Sequence, residues 1–563
     1  MKIPTLIVLS ALASLPLLTH AETAPPQTFA FETYVGRAYN CLENLPDKEG
    51  MPYFNIFWTD PAEAGHAGGI DSPDLCSRMW EASIMARHMT GRTCSNETIF
   101  GKNALRFMDP ATGLVVPGTA FFVFTHSIAM HAETTAYADS KDPALLDMIR
   151  KAADNLPTTY DMAWRSEPIK CLMNGARLAN YQPALDYAGK LVHGDSMVGN
   201  PNNKKFGGHM HAQMRVLAGA ADYALYMKDI ALLDQINAIY LNAMSLPGAR
   251  FGFLRETSRD DDLVGCETCG VMDFVALATT LANNGYPEHW GDVERVVRNQ
   301  LVENQVVDGS WLKPGDKPDT ANASWRNVGS RMVGGFAGWS SPTHMLAYRE
   351  DDHGRTRAFQ NCCIGSGIQA FYIAWKSASR FENGVLSVNM HFDKLLPQAE
   401  IRCYQPYKGY LSVALNEACK VRVRVPDFVD AKDVKVSSNK GEVKVAVENG
   451  YLELGPRQAG EKIEVTYPVP VKEEEIAIGN PKGHQYHYRV TWKGDTVVRM
   501  TPIGEQYKTG YSEGMKKDVD CFYGEEGPGR LYQREEMLKD VTPALAQLHA
   551  DDGAIDFWQL HAK

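Results

Sequence analysis

CCIGSGIQAFYIAWKSASRFENGVLSVNM, residues 362–390, carries two periods in one stretch. Ile364, Ile368, Phe371, Tyr372 and Trp375 recur at helical spacing, whereas Leu386, Val388 and Met390, beyond Asn383-Gly384, alternate as in a strand. A helical region therefore hands over to a β region near residue 383. Upstream, helical spacing dominates, as in Leu75-Met79-Ile84-Met85, Ala144-Leu145-Met148-Ile149-Ala152 and Met214-Leu217-Ala221-Leu225. Gly118, Pro157, Gly194 and Pro247 punctuate these helices into consecutive pairs, and few strand-like stretches intervene, which disfavours an α/β sheet. An all-α toroid of helical hairpins over residues 22–383 is the economical architecture.

Downstream the alternation continues through Val421-Val423-Val425, Val443-Val445-Val447 and Ile463-Val465, then His487-Tyr488-Arg489-Val490 and Thr496 to Met500. It predicts a C-terminal antiparallel β-sandwich over 384–505. The tail, 506–563, is rich in Gly and charge up to Arg530 and then predicts a helix over Glu535 to Leu548, docked on the body. At the other end Lys2, an apolar run from Ile3 to Leu18 and the small-residue site Thr19-His20-Ala21 read as a signal peptide, residues 1–21, with a mature chain from Glu22. The expected location is outside the cytoplasm, periplasmic or secreted. No later apolar run reaches about 18 residues, so no membrane span is expected. The chain of 563 residues calls for at least two domains, and a net charge of -11 without a basic run argues against a nucleic-acid partner.

The 11 cysteines include two patches, Cys266-Glu267-Thr268-Cys269 and Cys362-Cys363. Val271, Met272, Phe274, Val275, Leu277 and Leu281 follow the first at helical spacing up to Gly285, so both patches fall at predicted helix N-termini, where the dipole favours thiolate. Glu267, Cys269, Cys362 and Cys363 supply three sulfurs and one oxygen, a complete zinc set. Four protein ligands ordinarily describe a closed structural site, and Cys-x-x-Cys also marks redox pairs. The remaining cysteines read as core thiols or disulfide partners.

On Glu267-Thr268-Cys269 and Cys362-Cys363 the chain resembles glycoside hydrolase family 127, the β-L-arabinofuranosidases, from about residue 70 to about 505. The resemblance implies an (α/α)6 barrel followed by a β-sandwich. It implies a zinc ion on Glu267, Cys269, Cys362 and Cys363, with Cys362 as the nucleophile that attacks the anomeric carbon. The acid/base falls on Glu256 once a shortened loop between Leu246 and Glu267 is allowed for. A sugar-binding histidine falls on His209, in Gly208-His209-Met210-His211-Ala212, and a second on His131. His344, in the aromatic and basic stretch Trp339 to Arg357, joins them as a substrate-binding candidate. The chain departs from the family at Leu254-Arg255, where His-Gly is usual, and at Ile364-Gly365-Ser366-Gly367, where a Pro-rich stretch is usual.

The expected function is a retaining glycoside hydrolase of an oligosaccharide or polysaccharide, with zinc as cofactor. Read from the residues alone, Glu256 is also consistent with a solvated charge in Arg255 to Asp262, Asp260 to Asp262 with a cation site, and His209 with His211 as a helix-end pair. Two other classes stay open: a non-catalytic carbohydrate-binding protein with a structural zinc, and another toroid hydrolase or lyase built on carboxylates.

Overall fold

The computed structural model describes residues 26–68, 71–116, 122–159, 167–257, 265–347, 355–479, 485–503, 508–509, 519–520 and 529–555. Its helices are α1 (Phe31–Asn44), α2 (Cys76–Thr90), α3 (Glu97–Leu105), α4 (Phe122–Ser140), α5 (Pro143–Thr159), α6 (Ile169–Ala179), α7 (Gln182–Gly194), α8 (Met210–Met227), α9 (Ile230–Met244), α10 (Thr268–Asn283), α11 (His289–Val296), α12 (Val328–Met332) and α13 (Cys362–Ala378). Six of them close a ring: α2 packs on α4, α4 on α6, α6 on α8, α8 on α10, α10 on α13, and α13 returns to α2. Outside it, α1 and α3 lie on α2, α5 on α4, α7 on α6, α9 on α8 and α11 on α10. This is an (α/α)6 toroid.

The sequence accounts for the two layers. Every residue of α13 is buried, and α10 is buried from Thr268 to Ala282, as an inner helix must be when neighbours cover it all round. Outer α9 buries Leu232, Leu233, Ile236, Ile239, Tyr240 and Ala243, a single stripe at helical spacing. Glycine sets how closely the inner helices approach. A Cβ added at Gly365 of α13 would lie 2.8 Å from Arg78 Cβ and 2.9 Å from the Arg78 carbonyl oxygen on α2.

Four short strands, β1 (Asn55–Phe57), β2 (Glu63–Gly65), β3 (Ala323–Ser324) and β4 (Arg357–Gln360), form an antiparallel sheet in the order β3-β2-β1-β4 within the helical region. They are too short to show an alternation. β4 leads through Asn361 straight into α13, and Asn361 is clamped by its backbone N–H on Phe54 O at 2.8 Å and its side-chain amide on Tyr53 O at 2.7 Å.

Beyond α13, five-stranded sheets face each other as a pair, across Leu386, Val421, Val423 and Leu452 on one side and Ile401, Leu411, Val413, Ile463 and Val465 on the other. The pairing is antiparallel except between Val385–Val388 and Cys419–Arg424, which run parallel. Three corrections to the expectations follow. Asn383-Gly384 is a hairpin turn with φ of 51° and 74°, joining strands Ser379–Glu382 and Val385–Val388, and α13 already stops at Ala378. Strands Val471–Gly479, Gln485–Lys493 and Thr496–Ile503 form a separate three-stranded sheet, whose Ile478, Tyr488, Val490 and Met500 join the core of the toroid rather than that of the sandwich. The helix expected over Glu535 to Leu548 is only a 3-10 turn, Glu535–Leu538. Pro543 pushes its predecessor out of helical geometry, and Ala544 instead exchanges backbone hydrogen bonds with the N-terminal segment, Thr28 N to Ala544 O at 2.9 Å and Ala544 N to Pro26 O at 2.7 Å. Residues 1–21, read as a leader, lie outside the described residues. No helix among those described is long and apolar enough to cross a membrane.

Candidate active site

The N-termini of α10 and α13 meet, and with them the two cysteine patches. Glu267, Cys269, Cys362 and Cys363 are all buried and offer ligand atoms within 4.8 Å of one another. Cys269 Sγ lies 3.5 Å from Cys363 Sγ. Glu267 is the N-cap residue of α10, yet its side chain makes no capping bond, which leaves the carboxylate to face the thiols. Thr268 pins the turn by donating to Ala337 O at 2.7 Å and accepting from Asn304 Nδ2 at 3.0 Å. Cys266 stays outside the group, with its thiol on Gly252 O at 3.6 Å.

The donors fit a borderline-soft cation such as zinc: three sulfurs, one carboxylate, and Glu267 Oε2 buried without a hydrogen-bond partner. Protein alone does not hold these thiols ionised. Burial, then Cys362 and the Glu267 charge, push Cys269 well above the ordinary thiol range against a lowering hydrogen bond with Cys363, and burial first does the same for Cys363. For Cys362 the Cys269 hydrogen bond pulls downward, but Cys363, burial and Glu267 outweigh it. A cation among them reverses that balance, since a coordinated thiol is deprotonated.

A cavity of about 780 Å³ opens above the cluster. Cys362 and Glu267 border it, as do Glu256, His209, Arg78 and His211. Glu256 sits on a lip between α8 and α10: its N–H donates to Gly265 O at 3.1 Å and its carbonyl accepts from Met210 N at 2.7 Å. His209 is the N-cap of α8, where Nδ1 accepts from Ala212 N at 3.3 Å. That bond leaves the ring proton on Nε2, which faces Glu256 Oε1 at 3.5 Å and Glu267 Oε2 at 3.6 Å.

Two residues expected to bind sugar are not among those that line the cavity. His131 does not border the cavity; it is 2 % exposed within the ring and bonded through Nδ1 to Glu81 at 2.9 Å. His344 is also buried away from it, its ring against Gly529 and its Nδ1 accepting from Leu346 N at 3.0 Å. Asp260 to Asp262, Tyr348 and Arg349 lie outside the described residues. Arg355 pairs with Glu63 at 2.7 Å. Conversely, Asp74, Arg78 and Glu167 border the cavity and went unread. Asp74 and Arg78 stand four apart, a spacing that marks countless surface helix pairs, so only their burial distinguishes them.

In overall structure the chain is similar to a GH127 β-L-arabinofuranosidase from Geobacillus stearothermophilus T6, with a TM-score of 0.58 at 13% identity over 83% of this chain and 80% of that one. The fold is that of the GH127 enzymes. A second GH127 β-arabinofuranosidase superposes with a TM-score of 0.53 at 14% identity, covering 83% of this chain and 78% of the other. A structure described as a glycoside hydrolase gives 0.54 at 14% identity, covering 81% and 85%. No protein-family model matches the chain, and no curated protein matches it in sequence. At this distance the GH127 likeness is one of architecture, and the chemistry has to be argued from the site.

Proposed function

We propose that the chain is an exported retaining glycoside hydrolase acting on a β-L-arabinofuranoside or a related glycan sugar, with Cys362 as nucleophile and Glu256 as acid/base. Zinc held by Glu267, Cys269, Cys362 and Cys363 is the cofactor in this reading. One observation carries it: of the clustered thiols, Cys362 alone among the described residues borders the cavity, while Cys269 and Cys363 lie behind it with no exposed surface. A closed structural site has no need to present one sulfur to a sugar-sized cavity.

Bound zinc keeps the thiols ionised and fixes their orientation. The Cys362 thiolate attacks the anomeric carbon, an S–C bond forms, and the C–O bond breaks as Glu256 delivers its proton to the leaving oxygen. Water then gives a proton to the Glu256 carboxylate and its hydroxyl to the same carbon, releasing the Cys362 sulfur. Two displacements leave the configuration unchanged. The His209 Nε2–H, directed at Glu256 Oε1 at 3.5 Å, orients the carboxyl at the cavity edge.

The test is hydrolysis of an aryl β-L-arabinofuranoside by wild type, Cys362→Ala and Glu256→Gln. Loss of turnover in both variants, with zinc retained in Glu256→Gln, is expected. A Cys362→Ala protein that hydrolyses at the wild-type rate contradicts the nucleophile assignment. Tightly held zinc without turnover in the wild type moves the reading to a carbohydrate-binding protein. N-terminal sequencing of the mature product checks export, with Glu22 as the expected first residue.

A further inference from the structure

Arg78 has no role in the reaction above, yet it borders the cavity with its side chain only 3 % exposed. A guanidinium carries five N–H groups in a fixed fork and accepts nothing. Nε donates to Asp74 Oδ1 at 2.6 Å, Nη1 donates to Ser366 Oγ at 3.1 Å and toward Cys269 Sγ at 3.9 Å, and Nη2 faces His211 Nε2 at 3.4 Å. Because Arg78 can only donate, His211 Nε2 accepts, so the ring proton sits on Nδ1 and is given to the Asp273 carboxylate. Ser366 on α13, His211 on α8 and Asp273 on α10 thereby lock a side chain of α2. One Nη2–H is left, and among the described residues nothing accepts it.

The acceptor it calls for follows from the surrounding charge. Asp74, Glu167, Glu256 and Glu267 border the same cavity against Arg78 and Arg357, and the Arg78 charge is already matched by Asp74. A uronate or phosphate entering there meets surplus carboxylate, whereas a hydroxyl oxygen does not. The guanidinium also stands beside the thiols, touching Cys269 and acting electrostatically on Cys362. Arg78 and Cys362 thus border one cavity, and a sugar held at Cys362 comes within the reach of the guanidinium.

We infer that Arg78 is the specificity-determining donor of this cavity, reading the hydroxyl on the carbon adjacent to the anomeric carbon of an uncharged sugar, with Asp74, Ser366, His211 and Asp273 as its positioning residues. The orientation of the sugar rests on the hydrolase reading given above. A hydrogen bond at that hydroxyl strengthens in the transition state of glycoside cleavage, so the contact serves rate as well as recognition.

The test is calorimetric titration of full-length wild type, Arg78→Lys and Asp273→Asn with methyl β-L-arabinofuranoside and its 2-deoxy analogue. Lysine keeps the charge beside the thiols but cannot hold Asp74, Ser366 and His211 while presenting a further donor. The wild type is expected to prefer the hydroxylated sugar by roughly 10- to 100-fold, the range for a hydrogen bond to a charged group, and both variants to lose most of that preference. A wild type that binds the two sugars alike, or neither, overturns the inference whether or not the variants fold, and so does an Arg78→Lys protein that keeps the preference. Hydrolysis of the aryl glycoside is followed in parallel. Turnover without the preference removes the role of Arg78 alone, and the preference without turnover removes the hydrolase reading alone.

Discussion

Gly365→Ala tests whether the close approach of α13 to α2 builds the site. An alanine Cβ there meets Arg78 Cβ at 2.8 Å, the Arg78 carbonyl oxygen at 2.9 Å and its carbon at 3.1 Å. None of these atoms can swing aside, so the helices must separate by several tenths of an ångström to reach ordinary contact. Overpacking of this kind costs about 1–3 kcal/mol, against about 1 kcal/mol gained by alanine in a helix interior, which leaves a net loss of up to about 2 kcal/mol. Gly36 of α1 is the control, because its added Cβ meets nothing within 4 Å and only the helix gain of about 1 kcal/mol remains. Urea denaturation should show Gly36→Ala stabilised and Gly365→Ala destabilised. Separating the helices also stretches the path from Arg78 to Ser366 at 3.1 Å and from Ser366 to Cys269 Sγ at 3.2 Å, so hydrolysis should fall by more than the stability loss alone explains. A Gly365→Ala protein stabilised as much as Gly36→Ala would refute the packing argument.

Burial holds the Glu133 carboxyl up at about 8, with neither oxygen hydrogen-bonded. The folded state therefore keeps a proton that the unfolded chain releases from about 4.5 upward, so stability declines as pH rises from about 4.5 to about 8, by an amount on the order of 5 kcal/mol. Glu133→Gln should flatten that slope in urea titrations at pH 5 and pH 8, and an unchanged slope would show that Glu133 ionises freely. Glu294 is buried between Arg298 at 3.0 Å and Arg424 at 2.6 Å, joining toroid to sandwich, and Glu294→Gln should cost about 3–5 kcal/mol by stranding the buried Arg298, while Arg424 keeps Asp427 at 2.8 Å. A loss below about 1 kcal/mol would mean that water reaches the pair. His344→Asn should lower stability but leave the KM of the aryl glycoside within about twofold, since the ring packs on Gly529 away from the cavity; a large rise in KM would restore its substrate-binding role.

The toroid was legible because helical spacing punctuated by Gly and Pro gives consecutive helix pairs with few strands between them, and the Cys/Glu cluster because its four side chains occupy two helix starts, where local sequence determines geometry. Strand partnership was not legible. The alternation at 485–500 shows that a strand has one apolar face, but the face packs on the toroid, and nothing in a period of two names the surface it meets. The tail misled because its polar and apolar residues are compatible with a helix until Pro543 is weighed. His131 was misread for a related reason: it stands on inner α4 beside Glu133, and only the packing reveals that its ring turns to Glu81. Arg78 was missed because a helix pair four apart carries no mark of what lies beyond it, here two thiols of another pair of helices.

The central claim is that Cys362 is the reacting atom and its three companions hold it. Incubation of the zinc-loaded protein with a sugar electrophile that traps glycosidase nucleophiles, followed by peptide mass spectrometry, tests this most directly. The account predicts a single glycosyl adduct on Cys362, absent in Cys362→Ala and prevented by competing substrate. An adduct on Glu256 or Glu267, or a fully active protein that carries label on none of the clustered thiols, would contradict it.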